Sequence, residues 1–382
     1  MSKSKNEKER QKIQWQQYIA IVFFMLIGGV CGVLMGQYLE QGAETDTPIA
    51  EEIFSLACLF IGMYAAMLIQ IIIHEAGHLV FGLLTRYQFS SFRIFSFMWV
   101  KENGKIRLRR LSIVGTGGQC LMTPPDMIDG RIPVVLYNLG GSFMNIIASI
   151  IFFVLYLLLK GVPFVSVLLL ILAIIGVGFA ITNGVPMRMG TVDNDGYNAF
   201  SLTRNSEALQ SFWMQMKVNA EIAKGIRLKD MPDEWFEIPS DESMKNSMVV
   251  VKGIFTCNRL MDQQKFAEAD KLMEHIMGID SGMVGLHRSL MVCDRMYIEL
   301  ITENRSDVIG RMLTKEQKKF MKQMKKFPSV LRTEYVYALL HEQDREKADK
   351  VKEQFEKCAK TYPYPNDVQS ERELMEIAEK SA

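Results

Sequence analysis

Net charge is almost absent from this 382-residue chain: 44 Lys and Arg offset 43 Asp and Glu, leaving +1. That balance argues against a nucleic-acid-binding protein and against an acidic interaction tail. Paired cysteines are missing as well. The six present (Cys31, Cys58, Cys120, Cys257, Cys293, Cys358) are far apart and form no CxxC, which speaks against a disulfide scaffold or a cysteine zinc site and reads as reduced, mostly buried thiols. Histidine is scarce, at five, and His275, His287 and His341 show no metal-ligand spacing. The most telling gap is local. Between Arg131 and Arg188 the only charged residue is Lys160, whereas the chain beyond Gly196 is dense in Lys, Arg, Asp and Glu. This contrast reads as a membrane half followed by a soluble half, with length enough for two or three domains.

Four apolar runs are long enough to span a bilayer: 18–39, 53–84, 134–159 and 163–182, the last two joined by the tight turn "KGVP". The basic segment 1–17 leads into a run longer than a signal-peptide core, with no small-residue cleavage site after it. It therefore reads as a retained additional span, with Trp15 and Tyr18 as interfacial anchors. The second run would reach roughly 48 Å as a helix, against a hydrocarbon core of about 30 Å, so its inner end must tilt, protrude or be covered by protein. Segment 1–17 holds five Lys and Arg, 40–52 holds none, and 86–131 holds eight. The positive-inside rule then places both termini and 86–131 in the cytoplasm and the acidic 40–52 loop outside a cell membrane.

Segment 86–131 is too patterned for a plain loop. "SFRIFSFMWVKENGKIRLRRLSIV", 91–114, reads as a membrane-associated β-hairpin turning at Asn103-Gly104. Its first strand is apolar on both faces and its second alternates Ile106 and Leu108 with Arg107 and Arg109. It is either an amphipathic surface hairpin or an edge onto which an extended substrate adds as a further strand. Beyond Gly196 the spacing turns helical, as in "MDQQKFAEADKLMEHIM", without a fixed repeat period, and "MPDEWFEIPSDES" reads as a linker. The expected fold is mainly α: four membrane helices with the hairpin, then a C-terminal soluble helical domain. The domain boundaries follow as 1–17, 18–39, 53–200 and 201–382.

Chemistry concentrates in "IQIIIHEAGHLVFGLL", 69–84. Placing His74, Glu75 and His78 at membrane depth costs about 2–4 kcal/mol for each charged or strongly polar group, so something must offset that cost. On a helix His74 and His78 are i and i+4 and can bind one Zn²⁺, with Glu75 placed to take a proton from an attacking water. Zinc lowers the pKa of the water it holds to about 7 and polarises a carbonyl. A third ligand is required, and "ITNGVPMRMGTVDNDGYNAF" after the fourth run offers Asn183, Pro186, Asp193 and Asp195. Pro186 breaks the helix, Asn183 can bond the backbone thus freed, and an Asp can turn inward.

Three motifs together resemble the site-2 protease family of intramembrane zinc metalloproteases. They are HEAGH at 74–78, GSFMN from Gly141 to Asn145, and Asn183-Gly184-Val185-Pro186 with Asp195-Gly196. The resemblance covers about residues 53–200. It implies a three-span protease core, zinc (one per chain) bound by His74, His78 and an Asp, Glu75 as general base, and support from Asn145, Asn183 and Pro186. It also implies that the hairpin presents the substrate strand. "GSFMN" alternatively lets helices pack closely. Eight residues separate Pro186 from Asp195 and six separate it from Asp193, both more than in the family pattern. The Asp195-Gly196 pair favours Asp195, because glycine opens backbone angles for a sharp turn. No PDZ or CBS domain is recognisable.

The reading is an enzyme that hydrolyses a peptide bond in or near the transmembrane segment of a membrane protein or membrane-bound peptide. Its partners are that substrate, the lipid bilayer and a protein on the C-terminal domain, with no nucleic acid. Two alternatives are an inactive relative serving as a membrane scaffold through its helical half, and a zinc enzyme acting on a lipid or a prenylated peptide.

Overall fold

The computed structural model describes residues 2–42, 48–102, 104–113, 116–188 and 193–381. The chain divides into two compact units, Met1–Tyr87 with Pro133–Arg204, and Gln88–Ile132 with Asn205–Ala382.

The first unit consists of α1 (Ser2–Gly42), α2 (Ile49–Leu84), α3 (Val134–Leu158), α4 (Pro163–Gly184) and α5 (Asp195–Arg204). Four helices are long and apolar enough to cross a membrane: Tyr18–Glu40, Ile49–Leu84, Val134–Leu158 and Pro163–Gly184. They coincide with the four apolar runs to within a few residues. α2 starts earlier than expected, after Pro48, with Glu51 and Glu52 in the first turn where the helix dipole favours negative charge. Pro163 opens α4 at a position that needs no N–H donor.

α3 packs against both α2 and α4. Without a hydrophobic drive between helices in lipid, close packing must do the work, and glycines allow it. A Cβ at Gly77 would lie 2.3 Å from the Gly140 carbonyl oxygen, and one at Gly140 2.7 Å from that of Gly77. The buried positions of α2 include Ala66, Gln70, His74, His78 and Gly82, at four-residue intervals along one inward stripe. One stripe at the C-terminal end of this long helix is thus covered by protein, while Leu83 and Leu84 stay exposed. α1 packs on α4 and α2 around Cys31, Met35, Leu59, Ala66, Ile171 and Ile175.

The second unit carries an antiparallel sheet of β1 (Gln88–Ile94), β2 (Phe97–Glu102), β3 (Lys105–Arg110) and β4 (Gly118–Thr123), in the order β3-β2-β1-β4. This corrects the hairpin expectation in two ways. The apolar run read as one strand is two strands, reversing at Phe95 with φ +51°. Segment 92–100 therefore lies in the interior strands β1 and β2, and the edges are β3 and β4. The expected turn at Asn103-Gly104 stands between the paired residues Glu102 and Lys105, with Gly104 at φ +79°. Asn103 itself lies outside the described residues.

Alternation along β2 explains where the sheet belongs. Phe97 and Trp99 are exposed, whereas Met98 and Val100 are buried in one core with Met244, Leu331 and Tyr335 of the C-terminal helices. The backbone N–H of Arg110 donates to the Thr361 carbonyl, 2.8 Å, and Trp213 Nε1 to that of Pro125, 3.0 Å. The sheet thus groups with the C-terminal half rather than within the expected 53–200 segment. That half comprises α6 (Ser206–Ala223), α7 (Val250–Asp262), α8 (Phe266–Gly278), α9 (Gly285–Ile301), α10 (Ser306–Met312), α11 (Lys315–Gln323), α12 (Pro328–Val336), α13 (Arg345–Ala359) and α14 (Pro365–Lys380). The "MPDEWFEIPSDES" linker is ordered by burial of Met231 and Phe236 against Met214 and Val218.

Candidate metal centre

α2 delivers His74 and His78 one turn apart, both less than a tenth exposed. Each imidazole is held from behind by its Nδ1. His74 Nδ1 is 2.7 Å from Asn145 Oδ1 on α3, and His78 Nδ1 is 2.8 Å from the Tyr137 carbonyl oxygen. Both partners accept, so both Nδ1 atoms carry the proton and donate it. Each Nε2 then presents a lone pair inward. Gly141 makes room for this, since a Cβ there would lie 2.5–2.6 Å from three atoms of the His74 ring. Within "GSFMN", Gly141 thus leaves room for the His74 ring and Asn145 faces its Nδ1.

The third inward atom comes from beyond α4. Pro186 cannot donate an N–H, so the Thr182 carbonyl four residues earlier lacks its helical partner. Asn194 supplies one: its Nδ2 donates to the carbonyls of Thr182, 2.8 Å, and Val185, 2.6 Å. Its Oδ1 accepts from the backbone N–H groups of Met187, 3.0 Å, and Tyr197, 2.9 Å, the latter capping α5. The expectation that Asn183 fills this role is corrected, because Asn183 Nδ2 donates to Phe179 inside α4. The turn expected after the carboxylate is corrected as well. Asp195 is the first residue of α5, and Gly196 is helical without a positive φ. Its lack of a side chain matters for packing instead, since a Cβ would lie 2.2 Å from the Gly184 carbonyl oxygen.

Asp195 Oδ2 stands 2.9 Å from His74 Nε2 and 3.3 Å from His78 Nε2, and the two Nε2 atoms are 3.2 Å apart. Tetrahedral zinc with bonds of 2.0–2.1 Å keeps its donors about 3.3 Å apart. Two imidazole nitrogens and a carboxylate oxygen this close must share either a proton or a metal cation, and their spacing is that of a tetrahedral ligand set. The residues therefore fit Zn²⁺. Among the described residues, His74, His78 and Asp195 are the only group of three such side chains able to hold a metal. Asp193 faces elsewhere, pairing with Arg188 at 3.3 Å. Glu75 is buried on α2 beside His74.

One residue at this centre escapes motif reading. Gln70, fully buried one turn before His74, accepts from Asn145 Nδ2 through both its Oε1, 2.7 Å, and its backbone oxygen, 3.0 Å. The only signal for it in the sequence is a lone amide in an apolar run, at i−4 from a histidine.

A family model described as Peptidase family M50 matches residues 62–347. No curated protein and no solved structure matches the chain.

Proposed function

The chain belongs to peptidase family M50, the site-2 protease family, and from that premise we propose that it is a zinc-dependent intramembrane endopeptidase. The substrate is the transmembrane segment, or a stretch next to it, of a membrane protein or membrane-bound peptide. The observation that carries this reading is the convergence of His74 Nε2, His78 Nε2 and Asp195 Oδ2 on one point, beside a buried carboxylate, within an apolar helical unit. The cost of burying these polar groups in the membrane is then offset by ligation.

His74, His78 and Asp195 would hold one Zn²⁺, which when bound polarises the scissile carbonyl and acidifies water. Glu75 takes the proton of the attacking water and returns it to the leaving amine. Asn145 and the Tyr137 carbonyl keep both imidazoles in the ligating tautomer. Asn183 and Pro186 act as support, Pro186 by ending α4 where the chain must turn towards Asp195. The cytoplasmic side for both termini is part of this proposal and rests on the charge asymmetry of the loops; a protein partner on the C-terminal helices belongs to the proposal as well. An inactive scaffold is less well supported, because nothing in scaffolding requires three donors and a carboxylate in this arrangement.

Glu75→Gln tests the reading. The amide cannot accept the proton, so the variant should retain zinc and lose cleavage of membrane proteins seen with wild type in a comparison of cleaved membrane proteomes. Turnover near wild type would overturn it.

A further inference from the structure

The geometry points to Gln70 as a positioning residue that fixes which way the Asn145 amide faces and thereby which nitrogen of His74 is free to ligate. The inference rests on the proposed zinc site. Asn145 is fully buried and can adopt two amide orientations of nearly the same shape. Only the one with Oδ1 towards His74 accepts the Nδ1 proton, at 2.7 Å. In the other, an NH₂ group would meet Nδ1, and the proton of the neutral ring would move to Nε2, where a metal ligand needs a lone pair.

The choice is made on the far side of the amide. Gln70 presents two acceptors there, Oε1 at 2.7 Å and its backbone oxygen at 3.0 Å, one for each N–H of Asn145. Gln70 could itself flip and present its NH₂, but its Nε2 is claimed by the Leu172 carbonyl on α4, 2.8 Å away. A backbone carbonyl can only accept, so the Gln70 backbone oxygen and, through the Gln70 side chain, that of Leu172 together hold the Asn145 NH₂ on this side and its Oδ1 towards His74. α4, α2 and α3 each contribute one step. Gly176 keeps the path open, because a Cβ there would lie 2.5 Å from Gln70 Nε2.

Two substitutions separate this role from simple filling of space. Gln70→Met is apolar, similar in volume and suited to a buried site, but it offers Asn145 no side-chain acceptor. Gln70→Glu keeps an oxygen facing Asn145, at the cost of a carboxyl in an apolar surrounding. If Gln70 only filled space, Met would be the milder change. If it orients Asn145, Glu is the milder one. The full-length protein in detergent micelles is titrated with Zn²⁺ against a competing chelator, and the Co²⁺-loaded forms are compared by visible absorption. Gln70→Met should weaken Zn²⁺ binding several-fold, up to the roughly 10-fold lost when the partner behind a ligating histidine is itself removed, and should alter the Co²⁺ spectrum. Gln70→Glu should stay close to wild type in both. Met binding as tightly as wild type, or more tightly than Glu, overturns the inference while leaving the zinc site standing. A wild-type protein that takes up no Zn²⁺ overturns the site itself and this inference with it.

Discussion

At the scale of single residues, two aspartates two positions apart have different surroundings. Asp195 closes the triangle with His74 and His78, whereas Asp193 lies against Arg188. Asp195→Ala should therefore lower zinc occupancy and abolish cleavage, and Asp193→Ala should retain most of both, as read by metal analysis of purified protein and a cleavage assay. The reverse pattern would move the third ligand to Asp193. The sequence narrowed the choice to these two residues but chose Asp195 for an incomplete reason. Gly196 is needed because α5 starts against the end of α4, not because the chain takes a left-handed turn there. Asn194, a turn-prone residue by composition, turns out to use its whole amide to join the two helices.

Among elements, α14 carries two carboxyls whose pKa values are raised towards neutrality. It places Asp367 and Glu371 one turn apart, both partly buried, with like charges facing each other. Burial first, then Glu371 and Asp262, push the Asp367 pKa up to about 7, with Arg227 opposing. Burial likewise raises Glu371 to about 7 although Arg332 faces it. The sign follows from proton counts. Between the unfolded carboxyl pKa of about 4 and the folded value near 7, the folded state binds more protons, so this contribution to stability falls as pH rises. At pH 5 Asp367 is protonated and resembles an asparagine; at pH 8 it is ionised against its neighbours. Asp367→Asn should accordingly raise the thermal midpoint of the C-terminal unit by a few degrees more at pH 8 than at pH 5, followed by tryptophan fluorescence. An equal shift at both pH values would refute the assignment. The sheet is the other element where context decided. Met98 and Val100 read as part of an unbroken apolar strand, and they are apolar because β2 buries one face against the C-terminal helices.

For the molecule as a whole, the division between an apolar helical unit and a charged helical unit implies an orientation that can be checked. Reporters inserted near Lys105 and fused after Ala382 should both report the cytoplasm, and one near Asp46 the opposite side. A C-terminal reporter on the outside would overturn either the proposed orientation or the count of four spans. Because the sheet shares a core with the C-terminal helices, the Lys105 and C-terminal reporters must agree with each other whichever side they report.

The sequence by itself determined the elements whose causes are local. Uninterrupted apolar runs can only be membrane helices of a fixed minimum length, and two histidines at i and i+4 share a helix face whatever surrounds them. The 74–78 motif, the four spans and the helical C-terminal half were legible for that reason. Tertiary structure decided whatever depends on atoms far apart in the chain. Periodicity cannot reveal that Phe95 reverses the strand, because the residues on either side are equally apolar and the reversal is fixed by pairing with β2. Nor can it reveal that Gln70 and Leu172, 102 positions apart, set the face of an asparagine on a third helix. Hydrogen-bond polarity is a property of the assembled network, and it exists only once three helices have packed closely enough for their amides to meet.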